Sequence, residues 1–398
     1  MDDRFETLAE LAVHGANVQP GQVLAMTATL GQEELVRAIA AAAYRRGAVF
    51  VDPFYFDPYV KRARMEHAAG DTLEFVPPWY GARMNALGDS GAARIGFGGI
   101  VDPDALAGLD GARLGRDQLP WVKEAAQVIN DRSTNWCVVP CPHPVWAALV
   151  YPELGPDEAY ERLWSDLWHI LRLDEPDPRA AWDRRIEVLN TSAVALNGAR
   201  FDSVELHGPG TELTIGLLPS STWLSGDFET RNGLRHLPNI PTEEVFTAPD
   251  PERVDGHVTS TRPLVLKDGT IVRGLRVRFE GGRAVQIDAD ENADAMRSKA
   301  SVDDGASRIG EFALVDRQGR IGPLGTVYYD TLLDENAASH IALGNAYSFN
   351  VGETDLDRIN RSGIHIDFMI GSPELDVTGV TSAGERVPVL RGGDWQIL

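Results

Sequence analysis

The pattern of apolar positions changes character halfway along the chain. In the first half, short apolar runs alternate with helical periodicity: Val23-Leu24-Ala25-Met26 reads as a strand, and 32–46 as a helix with Leu35, Ile39 and Ala43 on one face and Gly47 past its end. Further strands are predicted at 48–51, 73–76, 93–97 and 137–139, separated by helix-length segments. That alternation is the mark of βαβ units, so the pattern predicts an α/β N-terminal domain with a mostly parallel sheet. Pro176-Asp177-Pro178 then introduces a long helix over 179–197, in which Trp182, Ile186, Leu189, Ala193 and Leu196 recur at helical spacing and Gly198 is the stop. Beyond it come short alternating strands at 203–206, 212–215, 264–266 and 274–279, with turn signals Lys267-Asp268-Gly269 and Glu280-Gly281-Gly282. The expected division is 1–198, an α/β domain, and 199–398, a β-rich α+β domain.

The length of 398 residues supports that division, since single cores stop growing at ~250–300 residues. With 37 Lys+Arg against 59 Asp+Glu the net charge is −22, which argues against nucleic-acid or anionic-membrane partners. No apolar run of ~18 residues is present, so no membrane span is expected. The acidic start Met1-Asp2-Asp3-Arg4 lacks a signal-peptide pattern, and 2 Cys cannot form a disulfide framework; both point to the cytoplasm. Cys137, Cys141 and His143 are interleaved with Pro140, Pro142 and Pro144 and lack an evident fourth ligand, so they read as buried structural thiols rather than a metal site. Gly96-Phe97-Gly98-Gly99 reads as an ordinary turn. P-loop, dinucleotide-binding, H-E-x-x-H and G-x-S-x-G signatures are absent.

The chemistry concentrates between Glu243 and Asp367. Glu243 and Glu244 sit in a strand-like run between Pro241 and Pro249, where a solvated edge is the ordinary reading. Glu311 interrupts Ile309-Gly310-Glu311-Phe312-Ala313-Leu314-Val315, a run too apolar for a surface strand, and a carboxylate there is costly to bury unless paired or metal-bound. The segment 334–344 reads as a short helix capped by Asp334 and stopped by Gly344, with His340 on a face of small residues and Tyr347 just past the stop. In Ile364-His365-Ile366-Asp367-Phe368, period-two alternation puts His365 and Asp367 on one face of an apolar strand. A shared metal would satisfy both, with a plain His–Asp hydrogen bond as the competing reading. Two imidazoles and several carboxylates on separate short elements suit a divalent shell of Zn, Co, Mn or Fe.

Four segments in order, 239–249, 310–315, 331–344 and 365–371, supported by 207–213 and 171–178, make the chain resemble the bacterial thermophilic-type metalloaminopeptidases over nearly its whole length. The resemblance implies a two-metal centre (Zn, Co or Mn) in the C-terminal domain, and a homodimer to which the N-terminal domain contributes a cavity wall and dimerisation surface. The substrates would be peptides with a free N-terminus. Its ligands would be Glu244, taken in preference to Glu243, with Glu311, His340, His365 and Asp367. Tyr347 matches a tyrosine of the metal shell, and Glu243 is then the candidate general base. A mononuclear iron ring-cleaving dioxygenase, using His340, His365 and Asp367, is the competing chemistry. A metal-free peptide-binding protein is a third.

Overall fold

The computed structural model describes residues 3–117, 119–120, 122–266 and 270–398, without the side chains of residues 111, 112, 115 and 126. The turn expected at Lys267-Asp268-Gly269 lies outside the described residues. The chain forms two compact units, Met1–Ala181 with Asp227–Pro241, and Trp182–Gly226 with Thr242–Leu398.

The first unit begins with α1 (Asp3–Gly15), β1 (Val23–Thr29), α2 (Glu33–Arg45) and β2 (Phe50–Phe56). It continues through α3 (Pro58–His67), α4 (Pro78–Asp89), β3 (Ala93–Gly98), α5 (Gly111–Arg116), α6 (Lys123–Asn130) and β4 (Asn135–Pro140). Helices α7 (Pro144–Val150) and α8 (Pro156–Ile170) follow, and the division from the second unit falls inside α9 (Pro178–Ala199). The four strands form one parallel sheet in the order β2-β1-β3-β4. Leu24 and Met26 of β1 are buried, as are Leu35 and Ile39 of α2, so the apolar runs form a sheet core as their patterning requires. The strand expected at 73–76 is not formed: Leu73 alone is buried there and Phe75 is exposed. The paired prolines at 77–78 end the run, and Pro78 starts α4.

The second unit carries β5 (Phe201–Gly208) and β6 (Thr211–Leu217), after which the chain returns to the first unit for the two-strand ribbon β7 (Phe228–Glu229) and β8 (Arg235–His236). The second unit then resumes with β9 (Glu244–Thr247), β10 (Pro249–Thr259), the paired β11 (Leu264–Val265) and β12 (Ile271–Val272), β13 (Arg276–Glu280) and β14 (Arg283–Asp288). Helix α10 (Ala293–Lys299), β15 (Ile309–Val315), α11 (Thr331–Glu335), β16 (His340–Gly344) and β17 (His365–Met369) lead to the last strands, β18 (Asp376–Thr381), β19 (Arg386–Arg391) and β20 (Asp394–Trp395). Eight strands form an antiparallel sheet in the order β14-β13-β10-β6-β5-β18-β19-β20. Four others form a second antiparallel sheet, β17-β16-β15-β9. The chain thus combines a parallel α/β region with a mostly antiparallel C-terminal part. No helix among the described residues is long and apolar enough to cross a membrane.

Two expectations are corrected here. The helix predicted over 334–344 divides into α11, capped by the Asp330 carboxylate accepting from the Leu333 amide at 3.3 Å, and strand β16, which begins at His340. The sequence Ile341-Ala342-Leu343-Gly344 suits either conformation locally, and hydrogen bonding to strands on both sides decides for the strand. The 243–249 run is not a solvated edge either: Glu243 exposes no surface and all of β9 is buried.

Close backbone approach is required where β15 meets β16. A Cβ at Gly310 would stand 2.2 Å from the Gly344 carbonyl oxygen and 2.6 Å from the Asn345 carbonyl carbon. Gly310→Ala is therefore expected to cost about 1–3 kcal/mol, as overpacking does. The measurement is the denaturant midpoint of the variant against the parent; an unchanged midpoint would mean that the ladder absorbs the methyl group.

Candidate metal centre

The site is built by cross-strand register. Glu244 lies opposite Val315, Phe246 opposite Ala313, and Ala313 opposite His340. Glu311 lies opposite Ala342, which in turn faces Asp367, and Gly344 faces His365. Directly opposed residues share a face, so Glu244, Glu311, His340, His365 and Asp367 all project from one side of the sheet. Between them on that side stand Ala313, Ala342 and Gly344, residues too small to fill the space. The other side presents Val245, Phe312, Leu314, Ile341, Leu343 and Phe368, each with no exposed surface.

Within 4.8 Å, ligand atoms gather into two groups, Glu244 with Glu311 and His340, and Glu311 with His365 and Asp367. Nε2 of His340 lies 3.1 Å from Glu244 Oε2 and 3.7 Å from Glu311 Oε1. Nε2 of His365 lies 3.7 Å from Glu311 Oε2 and 3.3 Å from Asp367 Oδ1. The two oxygens of Glu311 thus serve different imidazoles. On their far sides the rings are pinned: Nδ1 of His340 is 3.1 Å from the Ala338 carbonyl, and Nδ1 of His365 is 2.7 Å from that of Asn345. A carbonyl only accepts, so each Nδ1 donates and each Nε2 is turned to the shared centre, the arrangement of metal-bound histidine.

Glu244 Oε2, Glu311 Oε2 and Asp367 Oδ1 are buried with no hydrogen-bond partner. Three orphaned carboxylate oxygens and two inward imidazole nitrogens fit a divalent cation of intermediate hardness. Burial raises the Glu311 carboxyl above the usual carboxylate range, with His340 opposing. Burial also works against the Asp367 charge, but His365 and His340 hold that carboxyl below its ordinary value.

The structure does not bring Glu243 into this group. Its carboxylate forms a short contact of 2.5 Å with Nε of Arg185 from α9, whose other nitrogens meet Asp316 at 2.9 and 3.0 Å. The Glu243 amide donates to Asn336 Oδ1 at 2.7 Å, and the Trp395 indole donates to Asp316 at 2.6 Å. Tyr347 stands beside the cluster, its ring tilted over His365 at 5.3 Å and stacked on Phe349 at 5.1 Å. Burial, then the charges of Glu311 and Asp367, push its phenol well above the ordinary value. Sequence reasoning missed Glu335. Burial first, then the charges of Asp367 and Glu244, raise its carboxyl well above the usual range. The available signal was a second carboxylate beside Asp334. Asp334 instead accepts the Tyr328 amide at 2.9 Å, and burial pushes it up to about 7. Cys137 and Cys141 are free and buried, their thiols pushed up by burial, and His143 caps α7 by accepting the Val145 amide at 3.2 Å.

A family model described as "Thermophilic metalloprotease (M29)" matches residues 1–395. The chain is 41% identical to aminopeptidase T of Thermus aquaticus over 405 residues, covering 99% of both chains. It is 36% identical to aminopeptidase 2 of Geobacillus stearothermophilus over 410 residues, covering 99% of this chain and 98% of the relative. A solved structure titled "Wild-type AmpT from Thermus thermophilus" superposes with a TM-score of 0.91 at 40% identity, covering 99% of both chains.

The electrostatics of the group predict proton-linked metal binding. Burial disfavours charge on His365, yet the Asp367 and Glu311 charges push it up to about 10, and contact with Glu244 and Glu311 likewise holds His340 well above its ordinary value. The surrounding carboxylates therefore favour proton binding at both imidazoles, and an entering cation competes with it. Adding Zn²⁺ or Mn²⁺ to the chelator-treated chain is expected to release protons, with apparent affinity rising about tenfold per pH unit for each proton released. Calorimetry in two buffers of different ionisation enthalpy measures this; a binding heat independent of buffer would contradict it.

Proposed function

The chain belongs to the thermophilic metalloprotease (M29) family, and from that premise we infer that it is a metal-dependent aminopeptidase, removing N-terminal residues from peptides at the β17-β16-β15-β9 face. The observation that carries the site assignment is the shared carboxylate: Glu311 belongs to both ligand groups and turns a different oxygen to each. We assign Glu244 and His340 to one divalent ion, His365 and Asp367 to a second, and Glu311 to both. Two such ions, Zn, Co or Mn, would lower the pKa of a bound water and polarise the scissile carbonyl.

The remaining steps fall to this chain's own groups. Glu335, as the carboxylate, is the group that takes a proton from the attacking water, and as the acid so formed it passes that proton to the leaving amine. The Tyr347 hydroxyl donates to the oxyanion that forms on the carbonyl. The surrounding carboxylates attract the cationic α-amine, which restricts cleavage to chain ends. Glu243, neutralised by Arg185, holds β9 rather than moving protons.

A mononuclear iron site would require His340, His365 and Asp367 around one ion, whereas His340 groups with Glu244 and Glu311 instead. A metal-free role would leave three buried oxygens unsatisfied. The same reading retains a homodimer and a reducing, cytoplasmic setting, the latter supported by the two buried free thiols.

Glu311→Gln is expected to lose most metal and to abolish release of a chromogenic leucine anilide while circular dichroism stays unchanged; full turnover at full metal content would remove the bridging assignment. Glu335→Gln is expected to keep its metal and lower kcat by about 10²–10⁴ with little change in KM, as loss of a proton-transfer group does. Metal loss with unaltered kcat per bound metal would place Glu335 among the ligands instead.

A further inference from the structure

The first unit holds a second feature that the peptidase reading does not use. Two cavities of about 90 and 190 Å³ share Thr27, Arg83, Met84 and Arg94. They lie against the β1–β3 pair, where Thr27 and Gly96 are register partners. The cavities lie on one face of the sheet, to which Ala25 and Thr27 of β1 and their register partners Arg94 and Gly96 of β3 all project.

Arg94 lines both cavities from β3. Among the described residues its Nη1 is fully enclosed and has no hydrogen-bond partner. Burial, then the like charge of Arg83, push its guanidinium down to about 10, so it stays charged at neutral pH. Arg83 does not share this condition, because Asp52 accepts from its Nε at 3.0 Å and its Nη2 at 2.7 Å. A guanidinium enclosed without an acceptor is costly unless an anion meets it.

The walls define which anion. Met84, Leu87, Ile95 and Val138 line the smaller cavity, and Phe54, Trp79 and Tyr80 line the larger. The one enclosed, unpartnered guanidinium nitrogen matches a charge-assisted hydrogen bond from a single carboxylate. The apolar and aromatic remainder matches a hydrocarbon body, and with Arg83 engaged by Asp52 the site lacks the second cation that a phosphate dianion would require.

We propose that the Arg94 cavity of the first unit binds a small organic monocarboxylate bearing an apolar or aromatic group. Both a free amino acid and the C-terminus of a short peptide carry that chemistry.

The test uses the full chain with chelator present throughout, so that binding at bound metal is not read. The bare probe is 3-phenylpropionate, followed by calorimetry and by intrinsic fluorescence, since Trp79 and Trp136 line the cavities. Its neutral isostere 3-phenylpropionamide, inorganic phosphate, phenylalanine and N-acetyl-Ala-Phe are the other arms. Saturable binding of the carboxylate is expected, at least ~10-fold weaker for the amide and for Arg94→Met, with Arg94→Lys between them. Tighter binding of phenylalanine than of N-acetyl-Ala-Phe assigns the site to released amino acids, and the reverse to peptide ends. No saturable binding, equal binding by Arg94→Met or by the amide, or phosphate displacing the probe at lower concentration than the carboxylate itself would each overturn the proposal. Arg94→Met removes a buried unpaired charge and is expected to melt no lower than the parent; should it fail to fold, Arg94→Lys and the amide decide.

Discussion

Glu244, Glu311 and Asp367 present three buried oxygens without hydrogen-bond partners to one small volume, and the surrounding sheet is arranged to hold those like charges together. Left alone, such a group would protonate or open, because desolvated carboxylates repel and have no water to compensate them. Two imidazoles pinned at Nδ1 by backbone carbonyls stand among them. Ala313, Ala342 and Gly344 leave space on that face, while Phe312, Ile341, Leu343 and Phe368 pack the opposite one. A donor set held this rigidly is preorganised for cations, since the cost of assembling it is met by folding.

The adjacent carboxylates Glu243 and Glu244 show how one residue step separates two roles. Successive side chains of an extended segment point to opposite sides, so Glu244 reaches the cluster and Glu243 cannot. Glu243 instead joins Arg185, Asp316 and Trp395 in a buried ion network. Its amide is tied to Asn336, the residue after Glu335, so the segment leading into β9 and the end of α11 are fastened to each other. Removing a partner from a buried network of this kind leaves uncompensated charge, which is more costly than never having built it.

Much of the site was legible before any fold was known. His365 and Asp367 were paired by strand alternation, and Glu311 stood out because a charge inside Ile309–Val315 is costly without a partner. His340 was placed on the wrong element: a local run of small residues reads as helix, and only pairing with β15 and β17 makes it a strand. Glu335 was missed because its significance comes from charges on three other elements. Arg94 carried no signal either, since an arginine in an apolar strand is ordinary until its enclosure is known.

The motif resemblance to a known family, rather than residue chemistry alone, supplied the five residues proposed to bind metal, and periodicity by itself determined the α/β alternation of the first half and the β-rich second half. Those properties depend on neighbours within a few positions, which alternation and turn signals report directly. Tertiary structure alone decided that the five share one face, that Glu311 divides its oxygens between two imidazoles, and that Glu243 is neutralised by an arginine 58 residues away. Each of these is a distance between segments remote in sequence, and such distances are set by cross-strand register and side-chain packing, which no local pattern encodes.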